Sequence, residues 1–372
     1  MKITHIITDL DTGGAEMMLY KLLYSLRNKE IDSSVITLMS RGEVTERIEA
    51  LGVRVETLDL SQGERPSWQT IKKLRSLVRV LNPDIVQGWM YHGNIVATIA
   101  VFLFDPMHRK TKLFWNIRQT LYDIKSERTQ TRWLIILGRW LSFLPKGIIY
   151  NSTLSAKQHS ELGFSSKNNK MIANGFDLQK FHPDQNNYQQ FRKELNVSES
   201  AILIGHISRL HPMKDHATLL RAIDRVVDGL SDIGGKQRVL FLLIGNGVTS
   251  ELSNNPAIRF LGGRSDIPKI MSALDIVVSS SAWGEGFPNV IGEAMASEVP
   301  CVVTDVGDSA YIVGKYGRVC SVGDDQCIAN SLLQLIENKQ ERKTAGKQAR
   351  KRIKENYSMD KIKKEYLKEW GF

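Results

Sequence analysis

Short apolar runs alternate with longer amphipathic segments along the whole chain, and this alternation restricts the fold more than any other feature. The apolar runs of the first half are Ile3–Thr8, Ser34–Leu38, Asp84–Gly88, Lys112–Asn116, Ile148–Asn151 and Lys170–Ala173. Helical patterns lie between them at Ala15–Leu26, Trp68–Leu81 and Asn94–Phe104. Buried strands that alternate with helices are typical of right-handed β-α-β units, so we expect a parallel sheet with helices on both faces.

The alternation pauses at residues 183–200, a polar stretch that we interpret as a linker, and then restarts. The later strand-like runs are Ala201–Ile207, Arg238–Ile244, Ile258–Leu261, Asp275–Ser279 and Cys301–Thr304, with helical patterns at Asp215–Val227 and Asn289–Ser297. A chain of 372 residues can form two domains, each with its own core. We therefore predict two α/β Rossmann-like domains, residues 1–183 and 184–356, with parallel sheets facing a central ligand-binding cleft.

The tail from Asn338 onward is rich in Lys and Glu and has a helical pattern. It ends in three aromatic residues, Tyr366, Trp370 and Phe372. Aromatic residues so late in a charged helix indicate a docked face, so we expect residues 357–372 to pack back on the first domain.

The strongest functional signal is the segment 283–296, WGEGFPNVIGEAMA, which follows an apolar strand and opens a helix near Pro288 or Asn289. Gly284 and Gly286 allow a tight turn and a close approach of the backbone to a ligand. The first-turn amides of a helix, together with its dipole, suit a phosphate or other electron-rich oxygens.

Two carboxylates in this segment, Glu285 and Glu293, are eight residues apart. The first lies on the loop and the second about one turn into the helix, so both can face one pocket. Carboxylates in a pocket accept hydrogen bonds from sugar hydroxyls. An ordinary capped helix with solvent-facing glutamates would not explain the order of strand, serines, glycines and proline.

These two glutamates form an E-x7-E motif, and on it the chain resembles the retaining glycosyltransferases of family 4, which have the GT-B fold. The similarity extends over most of the chain. It implies transfer of a sugar from a nucleoside diphosphate, with UDP-sugars favoured, to an acceptor hydroxyl with retention. It also implies that Glu285 lies by the transferred sugar, that Glu293 binds the ribose, and that backbone amides around Phe287, Pro288 and Asn289 hold the sugar hydroxyls.

Arg209 and Lys214 lie on the turn after the first strand of the second domain. Two cations on one turn suit a pyrophosphate whose charge grows as the glycosidic bond breaks. The pair resembles the R-x4-K element of the family, which stabilises the leaving nucleoside diphosphate. The turn with Gly245 resembles the family's glycine turn beside the nucleotide, and the turn with Arg264 resembles the backbone that reads the base.

Five residues of the first domain complete the predicted site. Gly13 and Gly14 follow the first strand, where a plain tight turn is the alternative to a loop that borders the donor phosphate. His92 follows a later strand and resembles the family's histidine near the transferred sugar. Arg118 follows the next strand and should face the same cleft, and Asn174 begins an N-G-x-D turn before the linker that we interpret as a hinge.

Asp9 and Asp11 spell a DxD triplet, by which a different fold class binds a metal and a nucleotide sugar. We treat it as a coincidence, because it precedes the first-domain glycines. No cluster of His, Cys and Asp has metal-ligand spacing. We therefore expect no metal and no cofactor, the nucleotide sugar being a substrate.

The three cysteines, Cys301, Cys320 and Cys327, are too few and too late to predict a disulfide framework. We expect them to be buried small hydrophobes in a reducing compartment. The sequence also shows no secretory signal and no apolar run of about 18–20 residues, so a cytoplasmic location is expected.

The net charge of +10 is uneven, since residues 1–185 hold 25 Lys and Arg against 18 Asp and Glu. A basic surface suits an anionic membrane, nucleic acid or an acidic substrate, although it can also serve solubility alone. Motifs that read nucleic-acid bases are absent from the sequence. The segment 131–144, with Trp133 and Trp140, suits either a packed crossover helix or an interfacial helix. We predict a lipid-linked or polysaccharide-precursor glycan as acceptor, with peripheral contact at the inner face of the membrane.

Three other functions share parts of this pattern. A nucleotide-sugar epimerase has the two-domain fold but should lack the E-x7-E element. A phosphorylase-like enzyme needs a lysine that holds pyridoxal phosphate, and the sequence shows no such signature. A non-catalytic nucleotide-sugar sensor would lose the first-domain face, whereas Gly13, Gly14 and His92 are present.

Overall fold

The computed structural model describes residues 1–11, 13–27, 30–64, 66–107, 110–121, 124, 128–232 and 239–372, and the chain divides into two compact α/β units. The first unit comprises Met1–Gly175 and Met359–Phe372, and the second comprises Phe176–Ser358. The division follows Gly175 rather than residue 183. Phe176 belongs to the second unit because its amide donates to the carbonyl of Tyr357 at 2.9 Å and its ring stacks on Phe287.

The first unit contains a seven-stranded parallel sheet. Its strands are β1 (Lys2–Ile7), β2 (Asp32–Thr37), β3 (Arg54–Thr57), β4 (Ile85–Trp89), β5 (Lys112–Ile117), β6 (Gly147–Tyr150) and β7 (Asn169–Met171), in the order β3-β2-β1-β4-β5-β6-β7. The connecting helices are α1 (Gly14–Leu26), α2 (Thr45–Glu49), α3 (Trp68–Leu81), α4 (Met90–Phe104), α5 (Thr129–Leu141) and α6 (Thr153–Glu161). Ile6, Val86 and Trp115 are among the buried residues of its core.

The second unit contains a six-stranded parallel sheet. Its strands are β8 (Ile202–Ile207), β9 (Val239–Ile244), β10 (Ile258–Gly262), β11 (Ile276–Ser279), β12 (Cys301–Thr304) and β13 (Arg318–Cys320), in the order β10-β9-β8-β11-β12-β13. The helices are α7 (Gln185–Glu194), α8 (His216–Asp232), α9 (Ile267–Ala273), α10 (Asn289–Ala296), α11 (Ser309–Val313), α12 (Asp325–Glu337) and α13 (Lys339–Asn356), with 3-10 turns at Pro212–Lys214, Ser250–Leu252 and Gly314–Tyr316. Two parallel sheets covered by helices confirm the predicted fold class.

The last helix, α14 (Met359–Trp370), returns to the first unit. Its Tyr366 and Trp370 are fully buried, whereas the neighbouring Phe372 is exposed. The helix therefore covers the first sheet with two of the three aromatic residues of the tail.

The polar stretch 183–200 is not a linker, so that interpretation is wrong. Most of it forms α7, which begins after Asp184 because the Asp184 carboxylate accepts from the amides of Asn186 and Asn187 at 2.9 and 3.0 Å. The helix buries Phe191 and Arg192, and Arg192 donates to Asp275 at 2.6 Å. Glu194 of the same helix also pairs with Arg264 and Lys269, at 3.2 and 3.6 Å. One aromatic anchor and these ion pairs thus dock a helix whose composition is otherwise polar.

The expectation of three unpaired cysteines is wrong for two of them, because Cys320 and Cys327 form a disulfide. Cys320 ends β13 and Cys327 lies in the first turn of α12, which brings their Cα atoms to 5.7 Å, within the range of a disulfide. Cys301 is unpaired and buried, as expected, and burial raises the pKa of its thiol.

Within the described part of the chain, none of the helices combines the length and the apolar character that crossing a membrane requires.

Candidate functional site

A carboxylate and an ammonium group meet in the second unit, where the loop after β11 contacts the turn after β8. The Glu285 side chain, only 11% exposed, accepts a hydrogen bond from Lys214 Nζ and another from Ser281 Oγ at 2.7 Å. The structure therefore brings together two residues that the sequence placed in one site from segments 71 positions apart. Ser281 completes the cluster and was not predicted to take part.

The two loops are also joined through their main chains. The hydroxyl of Ser280 donates to the carbonyl of Lys214 at 2.8 Å, and the amide of Ala282 donates to the carbonyl of Met213 at 2.8 Å. These bonds hold the backbone on both sides of the Lys214–Glu285 pair. The pair is consequently built into the fold and does not depend on two flexible surface side chains.

Arg209, the other cation of the predicted pair, is exposed on the same turn. Among the residues that the structure describes, its guanidinium has neither a hydrogen bond nor an ion pair. An exposed guanidinium of this kind can bind an external anion at no cost to an internal bond.

The helix that follows the loop, α10, begins at Asn289 as the sequence predicts, with Pro288 as its N-cap. Ile291, Gly292, Ala294, Met295 and Ala296 are buried, while Asn289, Val290 and Glu293 are partly exposed. Positions 289 and 293 are one turn apart and share a face. Glu293 therefore lies on the less buried face of the helix, on the same side as its amino-terminal residue.

In the segment 286–288, which was predicted to hold sugar hydroxyls, several groups have structural roles. The ring of Phe287 is buried between Phe176 and Tyr357, with centroid distances of 6.1 and 5.3 Å, so this side chain anchors the loop. Pro288 has no amide hydrogen and can offer only its carbonyl. The carbonyl of Gly286 already accepts from the amide of Asp308 at 2.9 Å.

Gly245, which follows β9, packs against the turn after β8 that carries Arg209 and Lys214. A Cβ on this residue would lie 1.9 Å from the carbonyl oxygen of Ser208, and its φ is +154°. Its amide donates to the carbonyl of Gly262 at 2.8 Å. A glycine is needed here because two backbones approach each other, and its amide is already occupied.

Arg264 lies partly exposed on the turn before α9, where its guanidinium is held by two carboxylates. It donates twice to Asp266 at 2.8 Å and once to Glu194 at 3.2 Å. These hydrogen bonds raise the pKa of Arg264 and fix the position of the turn.

In the first unit, Gly13 and Gly14 occupy different environments at the start of α1. A Cβ on Gly13 would lie 2.2 Å from Oε2 of Glu16, whereas a Cβ on Gly14 would meet no atom within 4 Å. Burial, and then the charges of Asp9 and Asp11, raise the pKa of Glu16 to about 7, although backbone hydrogen bonds act in the opposite direction. Glu16 follows Gly13 and Gly14 closely in the sequence, but its burial arises only from the fold, so the sequence does not indicate its raised pKa.

His92 follows β4, as the sequence predicts, and lies in the first turn of α4, which begins directly at Met90. The helix starts this early because Gly93 lets it approach β1, where a Cβ would lie 2.4 Å from the carbonyl of Ile6. Burial lowers the pKa of His92, against the opposing charge of Asp9. His92 is therefore a largely neutral imidazole beside a carboxylate.

His92 and Asp9 border a cavity of about 450 Å³ in the first unit. The other lining residues follow β1, β2 and β3 or begin α5: Thr8, Leu38, Met39, Leu60, Ser61, Gln62, Gly63, Glu64, Arg128, Thr129, Gln130 and Thr131. Most of the lining residues have hydroxyl, amide or charged side chains, although apolar atoms form the larger part of the wall. The cavity can therefore bind a sugar, which presents both hydroxyl groups and apolar C–H faces.

Arg118 and Asn174 are brought together, but in a buried network. The Arg118 guanidinium donates to Asn174, to Asn116 at 3.1 Å and to the hydroxyl of Tyr366 at 3.0 Å. Burial lowers the pKa of Arg118. The network joins the carboxyl end of β5 to α14, and Arg118 is only 8% exposed.

The DxD residues Asp9 and Asp11 lie next to Glu16, and the amide of Asp11 donates to the Asp9 carboxylate at 3.2 Å. Over the described ranges, no group of three or more His, Cys, Asp or Glu side chains is arranged to hold a metal ion.

Two family models match the chain. Residues 12–180 match the model described as Glycosyltransferase Family 4, and residues 201–338 match the one described as Glycosyl transferases group 1. Together these matches span most of both units.

Curated relatives and solved structures agree with these matches. The capsular polysaccharide biosynthesis glycosyltransferase CapM of Staphylococcus aureus is 28% identical over 96% of this chain and 93% of its own length. The N,N'-diacetylbacillosaminyl-diphospho-undecaprenol alpha-1,3-N-acetylgalactosaminyltransferase of Campylobacter jejuni is 23% identical over 80% and 79%. Some other relatives are matched over only 45–59% of their length. The crystal structure of Anabaena Alr3699/HepE in complex with UDP superposes with a TM-score of 0.83, at 23% identity and 99% coverage of both chains, which shows a shared fold.

Proposed function

Because the chain belongs to the glycosyltransferases of family 4, we propose that it transfers a sugar from a UDP-sugar to an acceptor hydroxyl with retention at the anomeric carbon. One observation carries the donor half of this proposal, namely the Glu285 carboxylate held by Lys214 and Ser281. A carboxylate recognises sugar hydroxyls and an adjacent ammonium recognises a diphosphate, so one cluster suits both parts of a nucleotide sugar.

Lys214 and Arg209 are the groups that we assign to the leaving diphosphate. In the proposed step the bond between the anomeric carbon and the diphosphate oxygen breaks, and the acceptor oxygen bonds to the same face of that carbon. The acceptor proton passes to the leaving phosphate. Negative charge grows on the diphosphate during this step, and fixed cations stabilise it more than they stabilise the intact donor.

Glu285 is assigned to orient the sugar rather than to attack it. Its Oε1 accepts from both Lys214 and Ser281, which lowers the electron density available for a nucleophilic attack. Retention by two displacements requires a carboxylate placed to attack the anomeric carbon, and a carboxylate that accepts two hydrogen bonds on one oxygen is a weaker nucleophile. The hydrogen-bonded state of Glu285 therefore favours a reaction on one face, and Glu293 is assigned to the ribose.

For the acceptor, we assign the polar cavity beside His92. Asp9 and His92 can exchange hydrogen bonds with sugar hydroxyls, and Arg128 can bind an anionic group such as a phosphate. The roles that the resemblance implies for Gly13, Gly14 and His92 toward the donor stay predictions.

The helix α5 begins at this cavity and carries an exposed apolar face. Ile135 and Gly138 are buried against the unit, as a crossover helix requires. On the opposite side Trp133 and Trp140 are 68% and 66% exposed, and Ile136, Leu137 and Phe143 are exposed beside them.

A cavity lined largely by polar residues and an apolar face on the same helix match an amphiphile. We infer that the acceptor is a lipid-linked glycan, with its sugar in the cavity and its lipid in an anionic membrane surface that contacts α5. Arg132 and Arg139 lie on the same helix and can pair with anionic headgroups, while exposed Trp side chains prefer the membrane interface.

A thermal-shift assay without added metal tests the donor site. UDP-sugars should raise the melting temperature by several degrees at about 100 times their Kd, and GDP-, ADP- and TDP-sugars should not. Glu293→Ala should abolish the shift, whereas Glu337→Ala, at an exposed glutamate of the same unit, should keep it. If no UDP-sugar raised the melting temperature of the folded protein, the assignment of the donor site would be contradicted.

A further inference from the structure

Two buried histidines flank the turn that carries Arg209 and Lys214. His206 lies in β8, His216 opens α8, and their rings pack edge to face with centroids 5.0 Å apart. Ser208 joins them, because its Oγ lies 2.8 Å from Nε2 of His206 and 3.4 Å from Nε2 of His216. The three side chains form a continuous hydrogen-bond chain under residues 208–214.

The hydrogen positions in this chain follow from its first partner. Nδ1 of His206 lies 3.0 Å from the carbonyl oxygen of Val278, which can only accept, so Nδ1 carries the hydrogen. Burial lowers the pKa of His206 to about 3, so the ring is neutral and its Nε2 accepts from the Ser208 hydroxyl. The oxygen of Ser208 in turn accepts from Nε2 of His216.

His216, at the other end of this hydrogen-bond chain, fixes the same direction of donation. Nδ1 of His216 is buried and has no hydrogen-bond partner among the described residues. A hydrogen on that atom would be a buried donor without an acceptor, and it would leave Nε2 of His216 with no hydrogen to give to the Ser208 oxygen. His216 therefore keeps its hydrogen on Nε2, toward Ser208, and the chain has one arrangement.

The backbone of the turn is held as well. The amide of Ser208 donates to the carbonyl of Ile244, and the amide of Leu210 donates to the carbonyl of Asn246, both at 2.8 Å. Arg209 lies between these two anchored residues. Small shifts of Ser208 would consequently move the base of the Arg209 side chain.

We propose that Ser208 and His216 are positioning residues that hold the turn 208–214 so that Arg209 and Lys214 present their charges to the donor diphosphate. This inference rests on the proposed function. The hydroxyl and the imidazole add no net charge at the ligand, so they act on diphosphate recognition through the turn alone.

Binding of UDP and of uridine to the full chain, measured by calorimetry, tests the proposal because only UDP carries the diphosphate. Ser208→Ala should weaken UDP binding by about tenfold and leave uridine binding unchanged. Ser208→Thr, which keeps the hydroxyl, should restore UDP binding. The matched control is Ser272→Ala, at another buried hydroxyl of this unit, which should leave both affinities unchanged.

Two further comparisons separate positioning from general stability. His216→Gln, whose amide can donate to Ser208, should bind UDP more tightly than His216→Leu. In a chain that also carries Arg209→Ala and Lys214→Ala, Ser208→Ala should cause no further loss of UDP affinity.

If Ser208→Ala weakened the binding of UDP and uridine equally, or weakened neither, the positioning role would be overturned. The donor site would still stand in that case, provided that the wild-type protein binds UDP more tightly than uridine. A wild-type protein that binds uridine as tightly as UDP would overturn the proposed donor site together with this inference.

Discussion

The indole nitrogen of Trp370 donates a hydrogen bond to the side-chain oxygen of Gln87 at 2.9 Å, which joins α14 to β4. Both residues are fully buried. One turn earlier, the hydroxyl of Tyr366 accepts from Asn116 at 2.8 Å and from Arg118 at 3.0 Å. The last helix thus satisfies polar groups on two central strands of the first sheet.

Trp370→Ala should lower the free energy of unfolding by about 3–5 kcal/mol, because it opens a cavity and leaves the Gln87 oxygen without its donor. Denaturant unfolding followed by circular dichroism measures the loss. Phe372→Ala, at a side chain that is 57% exposed, is the control and should change stability by less than about 0.5 kcal/mol. Equal stability of the two variants would show that α14 is dispensable.

Glu285→Gln should reduce kcat by at least about 100-fold and change the Kd of the UDP-sugar by less than about threefold. The neutral amide keeps the shape of the side chain but loses the negative charge that pairs with Lys214 and accepts hydrogen bonds from the sugar hydroxyls. Initial rates with the cognate acceptor, together with calorimetric donor binding, give the two constants. Unchanged turnover would remove Glu285 from the reaction.

Glu16 should make the protein less stable as the pH rises. Its pKa is raised to about 7 in the folded chain against 4.5 for the unperturbed group, so the unfolded state releases this proton first. The contribution of the protonated form is present in full below about pH 4.5 and is lost as the pH passes 7.

Glu16→Gln stays neutral and should therefore be more stable than wild type at pH 8, by an amount on the order of 2 kcal/mol. The gap should close as the pH falls toward 5. Denaturant midpoints across this range measure it, with Glu46→Gln at an exposed position as the control. A gap that is constant with pH would contradict the raised pKa.

Gly14→Ala and Gly245→Ala should fail in different ways. The Cβ at position 14 meets no atom, so this variant should keep its melting temperature and lose activity only if a ligand must approach there. The Cβ at position 245 would collide with the backbone of Ser208, so this variant should lose several degrees in melting temperature. Full activity of Gly14→Ala would show that no ligand lies against this glycine.

The apolar face of α5 should direct the protein to anionic membranes. Wild-type protein should float with liposomes that contain anionic lipid at low salt, and Trp133→Ala with Trp140→Ala should reduce the bound fraction severalfold. Trp68→Ala is a matched control, because Trp68 is also 68% exposed but lies on α3. Equal losses from both sites, or no flotation of wild type, would contradict the membrane proposal.

Buried strands and the helix after the Gly-Glu-Gly loop could be predicted because their apolar periods are long and uninterrupted. β12 spans the residues that the pattern indicated, and α10 begins at Asn289. Two edge strands, β3 and β13, were missed because they are short and partly exposed, so they have no continuous apolar run. The helix α7 was missed for a related reason, since Phe191 and Arg192 are the only residues that it buries within its bounds.

The candidate site was likewise predicted from the sequence only in part. The resemblance of two motifs to those of the family implied that Lys214 and Glu285 belong to one site, and the structure pairs them. The motifs did not predict Ser281, the raised pKa of Glu16 or the disulfide between Cys320 and Cys327, because each depends on how a single short connection folds. Ser281 lies four residues before Glu285, and the two cysteines are seven residues apart, so sequence proximity alone did not show that these side chains turn toward each other.

The order in which the two units are made differs from the order in which they are complete. The first unit needs α14, yet the ribosome synthesises that helix only after all of Phe176–Ser358. During translation the second unit can close on itself while Gln87 and Arg118 still await Trp370 and Tyr366. The nascent amino-terminal sheet therefore lacks its last buried contacts until the carboxyl-terminal helix emerges from the ribosome.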